Sequence, residues 1–137
     1  MNKSIEKTIP ELNGKIISTN PTIGYEVMET IVYYDMPLLT LDKNEAGQKS
    51  LTVWMDVDNT DPSNRKDFWA FVPIQDEDVS MLLTNKMTLL DAFLKNDLIL
   101  IEEVDSKDNS IFREFSSSEF PRDMLPTENS YLRHYGI

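Results

Sequence analysis

Apolar and polar residues alternate through three stretches in the first half of the chain, which is the pattern of half-buried β-strands. These stretches cover residues 24–34, 38–42 and 51–57 and are rich in β-branched and aromatic residues. Pro37 and Gly47 interrupt the pattern between them, and both residue types favour turns. The alternation therefore predicts strands that follow one another as hairpins.

The spacing of apolar residues changes from two to about 3.6 after a further strand predicted over 68–74. Pro73 near the end of that strand predicts either an edge position or the end of a ladder. Asp76 is the predicted N-cap of a first short helix. A second helix is predicted to begin at Thr88, whose hydroxyl and the Asp91 carboxylate form a pair resembling a capping box.

The last predicted hairpin covers residues 98–104 and 111–115. Because no regular βαβ alternation occurs, the predicted fold class is α+β: an antiparallel meander sheet of about five to seven strands, with two short helices inserted between strands. We predict a partly ordered N-terminal arm with at most one short strand over 1–22, a single domain over 23–115 and a C-terminal tail over 116–137. The side chains expected to dock the tail are Phe120, Leu125, Tyr131 and Tyr135.

The chain is strongly acidic, with 24 Asp and Glu against 13 Lys and Arg and a formal net charge of −11 over 137 residues. Thirteen of the acids and five of the bases lie between residues 56 and 108. Such a charge disfavours direct binding to nucleic acid and to anionic membranes, whose ligands are cationic surfaces. It is compatible with a basic protein partner or with solubility alone.

Cysteine is absent, which excludes disulfides, thiolate nucleophiles and Cys-ligated zinc. No apolar run approaches the roughly 20 residues that cross a bilayer, and the N-terminus lacks a hydrophobic signal core. The expected location is therefore the cytoplasm.

The middle of the chain contains several short motifs in a characteristic order. They are Tyr33-Tyr34-Asp35-Met36-Pro37-Leu38-Leu39, Ala46-Gly47-Gln48 before a strand that contains Trp54, Trp69 ahead of Val72-Pro73-Ile74, and Leu89-Leu90-Asp91-Ala92-Phe93. In this order and spacing the chain resembles a family of uncharacterised small bacterial and phage-borne domains, over about residues 25–105. The family's usual Phe after the Pro-Leu pair is replaced by Leu39-Thr40. The resemblance implies a domain boundary and an α+β fold, and it brings no activity to any residue.

Three acidic runs are the sequence features closest to a site. The run that begins at Asp56 loosely follows calcium-loop spacing, but Asp61 stands where the loop needs Gly and Asp67 where it needs Glu, so a solvated hairpin loop is the preferred interpretation. The other runs are Asp76-Glu77-Asp78 and Glu102-Glu103-Asp105. The first is explained by a helix N-cap with acidic residues that complement the helix dipole, and the second by a strand that ends in a turn. Neither explanation requires the buried, coupled carboxylates of an acid–base site.

Other candidate chemistry is sparse. His134 is the single histidine and lies near the C-terminus, and the triplet of residues 116–118 is serine without the glycines of a nucleophile elbow. The aromatic residues are more informative, because Phe68, Trp69 and Phe71 cannot all point to one side of a strand. Strict alternation places Trp54 on the face opposite Leu51 and Val53, where either a further layer or a partner covers it.

The sequence favours a non-enzymatic, acidic protein–protein interaction module, with no cofactor and no metal. Two alternatives stay open: a phage-type inhibitor that mimics nucleic acid and blocks a host defence or nucleic-acid enzyme, and a carboxylate-dependent enzyme with a divalent metal on Asp56, Asp58 and Asp61. The predicted partner-binding residues are Trp54, Asp56, Asp58, Asp61, Trp69, Asp76, Glu77, Asp78, Glu102, Glu103 and Asp105.

Overall fold

The computed structural model describes residues 15–17, 20–33, 37–95, 97–128 and 130–131. The strands are β1 (Lys15–Ile17), β2 (Glu26–Tyr33), β3 (Pro37–Lys43), β4 (Lys49–Asp58), β5 (Lys66–Ile74), β6 (Ile99–Val104) and β7 (Ser110–Phe115). The helices are α1 (Asp76–Leu83), α2 (Leu89–Lys95) and a 3-10 turn over Arg122–Met124. The helices α1 and α2 both lie between β5 and β6.

All seven strands form one antiparallel sheet in the order β1-β7-β6-β5-β4-β3-β2. Strands β2 to β7 are neighbours in chain order, and β1 joins the sheet on the outer edge of β7. The predicted α+β fold, a meander sheet with two short inserted helices, is confirmed. In this meander the β4–β5 and β6–β7 connections lie at one end of the sheet, and the β3–β4 loop and α1 lie at the other.

The core lies between one face of the sheet and the helices. Leu51, Val72 and Ile101 project from three strands onto this face, where Phe93 of α2 packs in the same cluster and is fully buried. Phe120 follows β7 and packs edge-on against Phe93, with ring centroids 6.5 Å apart. Burying an aromatic side chain of this size contributes roughly 1.5–3 kcal/mol, so the segment after β7 stabilises the core.

Both ends of the chain extend beyond the described residues. Met124 and Phe120 are buried, and Leu125 packs on the core cluster. Tyr135 and His134 lie outside the described residues, as do most of the predicted N-terminal arm and the positions 34–36 of the family-like motif.

Pro73 lies in β5, a central strand, so the predicted edge position is wrong. The alternative prediction is correct: the β5–β6 ladder ends at the Phe71–Leu100 pair, and Pro73 lies beyond it, paired with Ser50 on the β4 side. Proline has no N–H to donate, and the ladder stops where that donor would be needed.

The two helices begin differently from each other. The N-cap of α1 is Gln75 and not the predicted Asp76: the backbone N–H of Gln75 donates to the Asp78 carboxylate at 2.9 Å, and the Asp78 N–H donates to the Gln75 backbone carbonyl at 3.0 Å. At α2 the predicted pair is confirmed: the Thr88 N–H donates to Asp91 Oδ2 at 3.2 Å, and the Asp91 N–H donates to Thr88 Oγ1 at 3.1 Å.

Candidate protein-interaction surface

Two acidic loops meet at one end of the sheet. The β4–β5 loop covers residues 59–65 and the β6–β7 loop covers 105–109, and a meander with hairpin connections places alternate turns side by side. The Ser106 hydroxyl joins them, donating to Asn64 Oδ1 at 3.1 Å and to the Ser63 carbonyl at 3.3 Å. We call these loops and the strand ends that flank them, residues 56–67 and 102–110, the acidic end.

Short side-chain hydrogen bonds fix the carboxylates of these loops. Asp58 accepts from the Thr60 hydroxyl at 2.7 Å and from its backbone N–H at 2.9 Å. Asp61 accepts from Ser63 in the same way. Asp105 accepts backbone N–H groups from positions 107 and 109, each at 2.9 Å. These are Asx turns, in which the carboxylate orders its own loop.

The same hydrogen bonds favour the ionised form of two of the carboxylates. The Thr60 hydroxyl, followed by its backbone N–H, lowers the pKa of Asp58 below the ordinary value of 3.8. The backbone N–H of Asn109 is the first cause of a lowered pKa at Asp105, and further bonds from Lys107 and the Asn109 side chain act in the same direction. Both groups therefore stay negatively charged throughout the physiological range.

The acidic end has more carboxylates than cations to neutralise them. Its sequence holds eight Asp and Glu and three Lys and Arg. Two ion pairs lie within it: Arg65 with Asp67 at 3.3 Å and Lys66 with Glu103 at 3.6 Å. Within the described ranges no ion pair involves Asp58, Asp61 or Asp105. A negative field therefore surrounds these loops.

The predicted acidic run Asp76-Glu77-Asp78 lies at the opposite end of the sheet. β5 separates it from the acidic end, and its eight residue steps span roughly 26 Å. Asp76 is exposed and pairs with Lys49 at 2.6 Å, and Glu77 pairs with Lys95 at 3.7 Å. These residues complement the α1 dipole and the nearby lysines.

Asp78 differs from the other acids, because its side chain is completely buried. It bonds the Gln75 N–H and pairs with Lys95 Nζ at 2.6 Å, which raises the pKa of Lys95. The expectation of hydrated carboxylates is therefore wrong at Asp78. This residue joins α1 to α2, and a partner could not reach it.

Trp54 and Trp69 are directly opposite each other on β4 and β5, and Glu102 of β6 is opposite Trp69. This row lies on the sheet face turned away from the helices, which we call the second face. Further from the acidic end the second face is buried at Phe71 and Leu100, whereas both tryptophans are partly exposed. The tryptophan row is thus the boundary between the buried part of the second face and the acidic end.

A bulge at Met55 changes which face the following residues occupy. Trp54 pairs with Trp69, but Asp56 pairs with Phe68, so β4 carries one extra residue between the two pairs. Strict alternation would place Asp56 on the same face as Trp54, but the bulge moves it to the other face. It lies in the row of Phe68 and Glu103, on the side of the sheet that faces the helices.

Asp67 is a residue of this surface that the sequence did not indicate as a binding residue. It lies on the second face, two residues before Trp69, and its Oδ1 accepts the indole N–H of Trp54 at 3.1 Å. The same oxygen accepts from Arg65 Nη2 at 3.3 Å. Asp67 lies two pairs along the β4–β5 ladder from the Trp54–Trp69 pair, so its contact with Trp54 could be predicted only with the register known.

The residues of the calcium-like loop do not converge. Among the described residues no group of three or more His, Asp and Glu side chains could hold a metal ion, and the oxygens of Asp58 and Asp61 point back to their own loops.

In the serine triplet, Ser116 donates to Glu119 and Ser117 donates to Asp97, which orders the turn after β7. No described helix is long and apolar enough to cross a bilayer.

Comparison of the chain with protein-family models, with curated proteins and with solved structures finds no match. The resemblance to small bacterial and phage-borne domains therefore stays a prediction.

Proposed function

We propose that the protein is a non-enzymatic interaction module that binds a basic surface of a protein partner through its acidic end. The observation that carries the proposal is the hydrogen-bonded pair of loops at 59–65 and 105–109, which brings two separate acidic runs of the sequence together. Asp58, Asp61 and Asp105 are fixed in Asx turns and have no cation in the described residues within ion-pair distance.

Preorganisation supports binding over simple solubility. A surface that only keeps a protein in solution needs net charge and no particular arrangement. Here the loops are bonded to each other and each carboxylate is bonded to its own turn, so little conformational entropy is lost when a cationic partner binds. Charged surfaces of this type steer association and fix orientation, with a strong dependence on salt.

The proposal is tested by affinity capture with matched variants. One variant carries Asp58→Asn, Asp61→Asn and Asp105→Asn; asparagine keeps the Asx turns and removes three charges. The control carries Glu45→Gln, Asp76→Asn and Glu77→Gln, which removes three charges at the opposite end. We expect a stoichiometric partner at low salt that the wild type and the control retain, and that the acidic-end variant loses.

Equal capture by all three proteins would refute the acidic end as the binding surface. The nucleic-acid mimic makes a different prediction: the captured protein would itself bind nucleic acid, and DNA would compete with the module for it in a salt-dependent manner. A partner that DNA does not displace supports a plain protein–protein interface.

A further inference from the structure

The tryptophan row next to the acidic end combines two kinds of cation-binding group. Trp54 and Trp69 are a directly opposed cross-strand pair, and such pairs have Cβ atoms about 4.5–5.5 Å apart. Both rings are partly exposed on the second face. Aromatic faces attract cations electrostatically, and indole does so most strongly.

Two carboxylates adjoin the pair. Asp67 accepts the indole N–H of Trp54, which fixes that ring, and its side chain is 28% exposed. Glu102 is the cross-strand neighbour of Trp69 and accepts a hydrogen bond from the Ser110 hydroxyl at 2.8 Å. Within the described part of the chain, no Lys or Arg forms an ion pair with Glu102.

The chain itself places a guanidinium at the margin of this surface. Arg65 Nη2 lies 3.3 Å from Asp67 Oδ1, and the Arg65 side chain is 52% exposed. The contact is therefore weakly held and open to competition from solvent and from other cations. It shows that a guanidinium can occupy the position beside Asp67 Oδ1.

We propose that the surface formed by Trp54, Trp69, Asp67 and Glu102 binds an arginine side chain of the protein partner. The guanidinium stacks on the indole rings and pairs with the carboxylates, and Arg65 is the internal competitor that it displaces. Arginine is preferred to lysine because its planar group stacks and forms paired hydrogen bonds at the same time. Nucleobases also stack on tryptophan, but the adjacent carboxylates repel their phosphates.

This inference rests on the proposed function and names the anchor that the partner supplies. It is tested with a defined probe, the peptide acetyl-Gly-Arg-Gly-Arg-Gly-amide, and with the citrulline peptide of the same length as the neutral control. The chain has two tryptophans, so its ¹⁵N NMR spectrum has two indole signals, which Trp54→Phe and Trp69→Phe assign. We expect the arginine peptide to shift both indole signals, and the citrulline peptide to shift neither.

Variants identify the groups that bind. Trp69→Leu and Glu102→Gln should each weaken binding of the arginine peptide about threefold to fivefold, the effect of losing one exposed cation–π or ionic contact. Arg65→Gln should strengthen it about twofold to threefold, because the internal competitor is gone. Asp76→Asn, at the opposite end, should leave it unchanged. If Trp69→Leu fails to fold, Glu102→Gln and Arg65→Gln still decide the matter, since both are surface changes.

The inference would be overturned by equal shifts with the citrulline peptide, by no shift of either indole, or by an affinity that Arg65→Gln lowers. Amide shifts confined to the loops at 58–61 and 105–109 would do so too, yet would leave the proposed function intact. Failure of the proposed function is recognised separately, by partner capture that does not depend on the acidic end.

Discussion

Asp78→Ala should destabilise the protein far more than a charge-matched change two residues away. Asp78 is completely buried, and its carboxylate accepts the Gln75 N–H at 2.9 Å and Lys95 Nζ at 2.6 Å. Loss of a hydrogen bond to a charged group costs about 1.5–3 kcal/mol. Loss of the ion pair with Lys95 adds little to this cost, because 41% of the Lys95 side chain is already exposed and its ammonium group is hydrated in the variant. The expected loss in the free energy of unfolding is about 2–4 kcal/mol.

Asp76→Ala is the matched control. It removes the same charge from the same helix turn, but the Asp76 side chain is 82% exposed and its ion pair with Lys49 lies at the surface. Its expected cost is below about 1 kcal/mol. Urea unfolding followed by circular dichroism measures both, and thermal unfolding should show a drop of about 6–15 °C for Asp78→Ala. Equal losses in the two variants would refute the reasoning that burial makes Asp78 important.

Two further predictions concern the second face and the acidic end. The Ser50 hydroxyl is buried without a hydrogen-bond partner among the described residues, whereas the Thr52 hydroxyl donates to the Asp42 carboxylate. In urea unfolding, Ser50→Ala should therefore change the free energy of unfolding by less than about 1 kcal/mol, and Thr52→Val should lower it by about 1.5–3 kcal/mol. The pKa values of Asp58 and Asp105 are lowered in the folded state, so ionisation of these carboxylates stabilises the fold. This stabilisation is complete above pH 3.8 and is lost as the pH falls through the lower pKa values of the folded state. Stability of the variant Asp58→Asn should therefore approach that of the wild type only below about pH 4, and a difference that disappears already at pH 6 would contradict this assignment.

The sheet could be predicted from the sequence because its strands carry simple signals. Alternation over β4 and the turn around Gly47, whose φ is +86°, together specify a hairpin. At α2, Thr88 and Asp91 have the spacing of a capping box, and the structure contains both of its hydrogen bonds. These signals are local, so no knowledge of the tertiary structure is needed to use them.

Other features depend on long-range geometry. The bulge at Met55 moves Asp56 to the other face, and nothing in the alternation of β4 marks the extra residue. The burial of Asp78 requires Lys95, seventeen positions away, to come within reach. The Asp67–Trp54 bond depends on the register of the β4–β5 hairpin. In each case the sequence pattern predicts the strand or helix, but the contacts of the side chain depend on a neighbouring strand or helix.

The positions of the acidic runs at opposite ends of the sheet could be predicted from the order of the strands. In a meander, connections alternate between the two ends of the sheet, so the loops after β4 and β6 share one end and the start of α1 lies at the other. The predicted topology therefore already implied that Asp76 could not act together with Asp58 and Asp105.

We propose that the arrangement of charge, and not its total, makes the acidic end a binding surface. Calorimetric titration of the captured partner into the wild type and the two triple variants tests it, since each variant loses three charges, at opposite ends of the sheet. We expect the Asp58, Asp61 and Asp105 variant to bind about tenfold more weakly than the wild type at low salt, and the Glu45, Asp76 and Glu77 variant to bind as the wild type does. Equal weakening of both would contradict the claim, because only net charge would then matter.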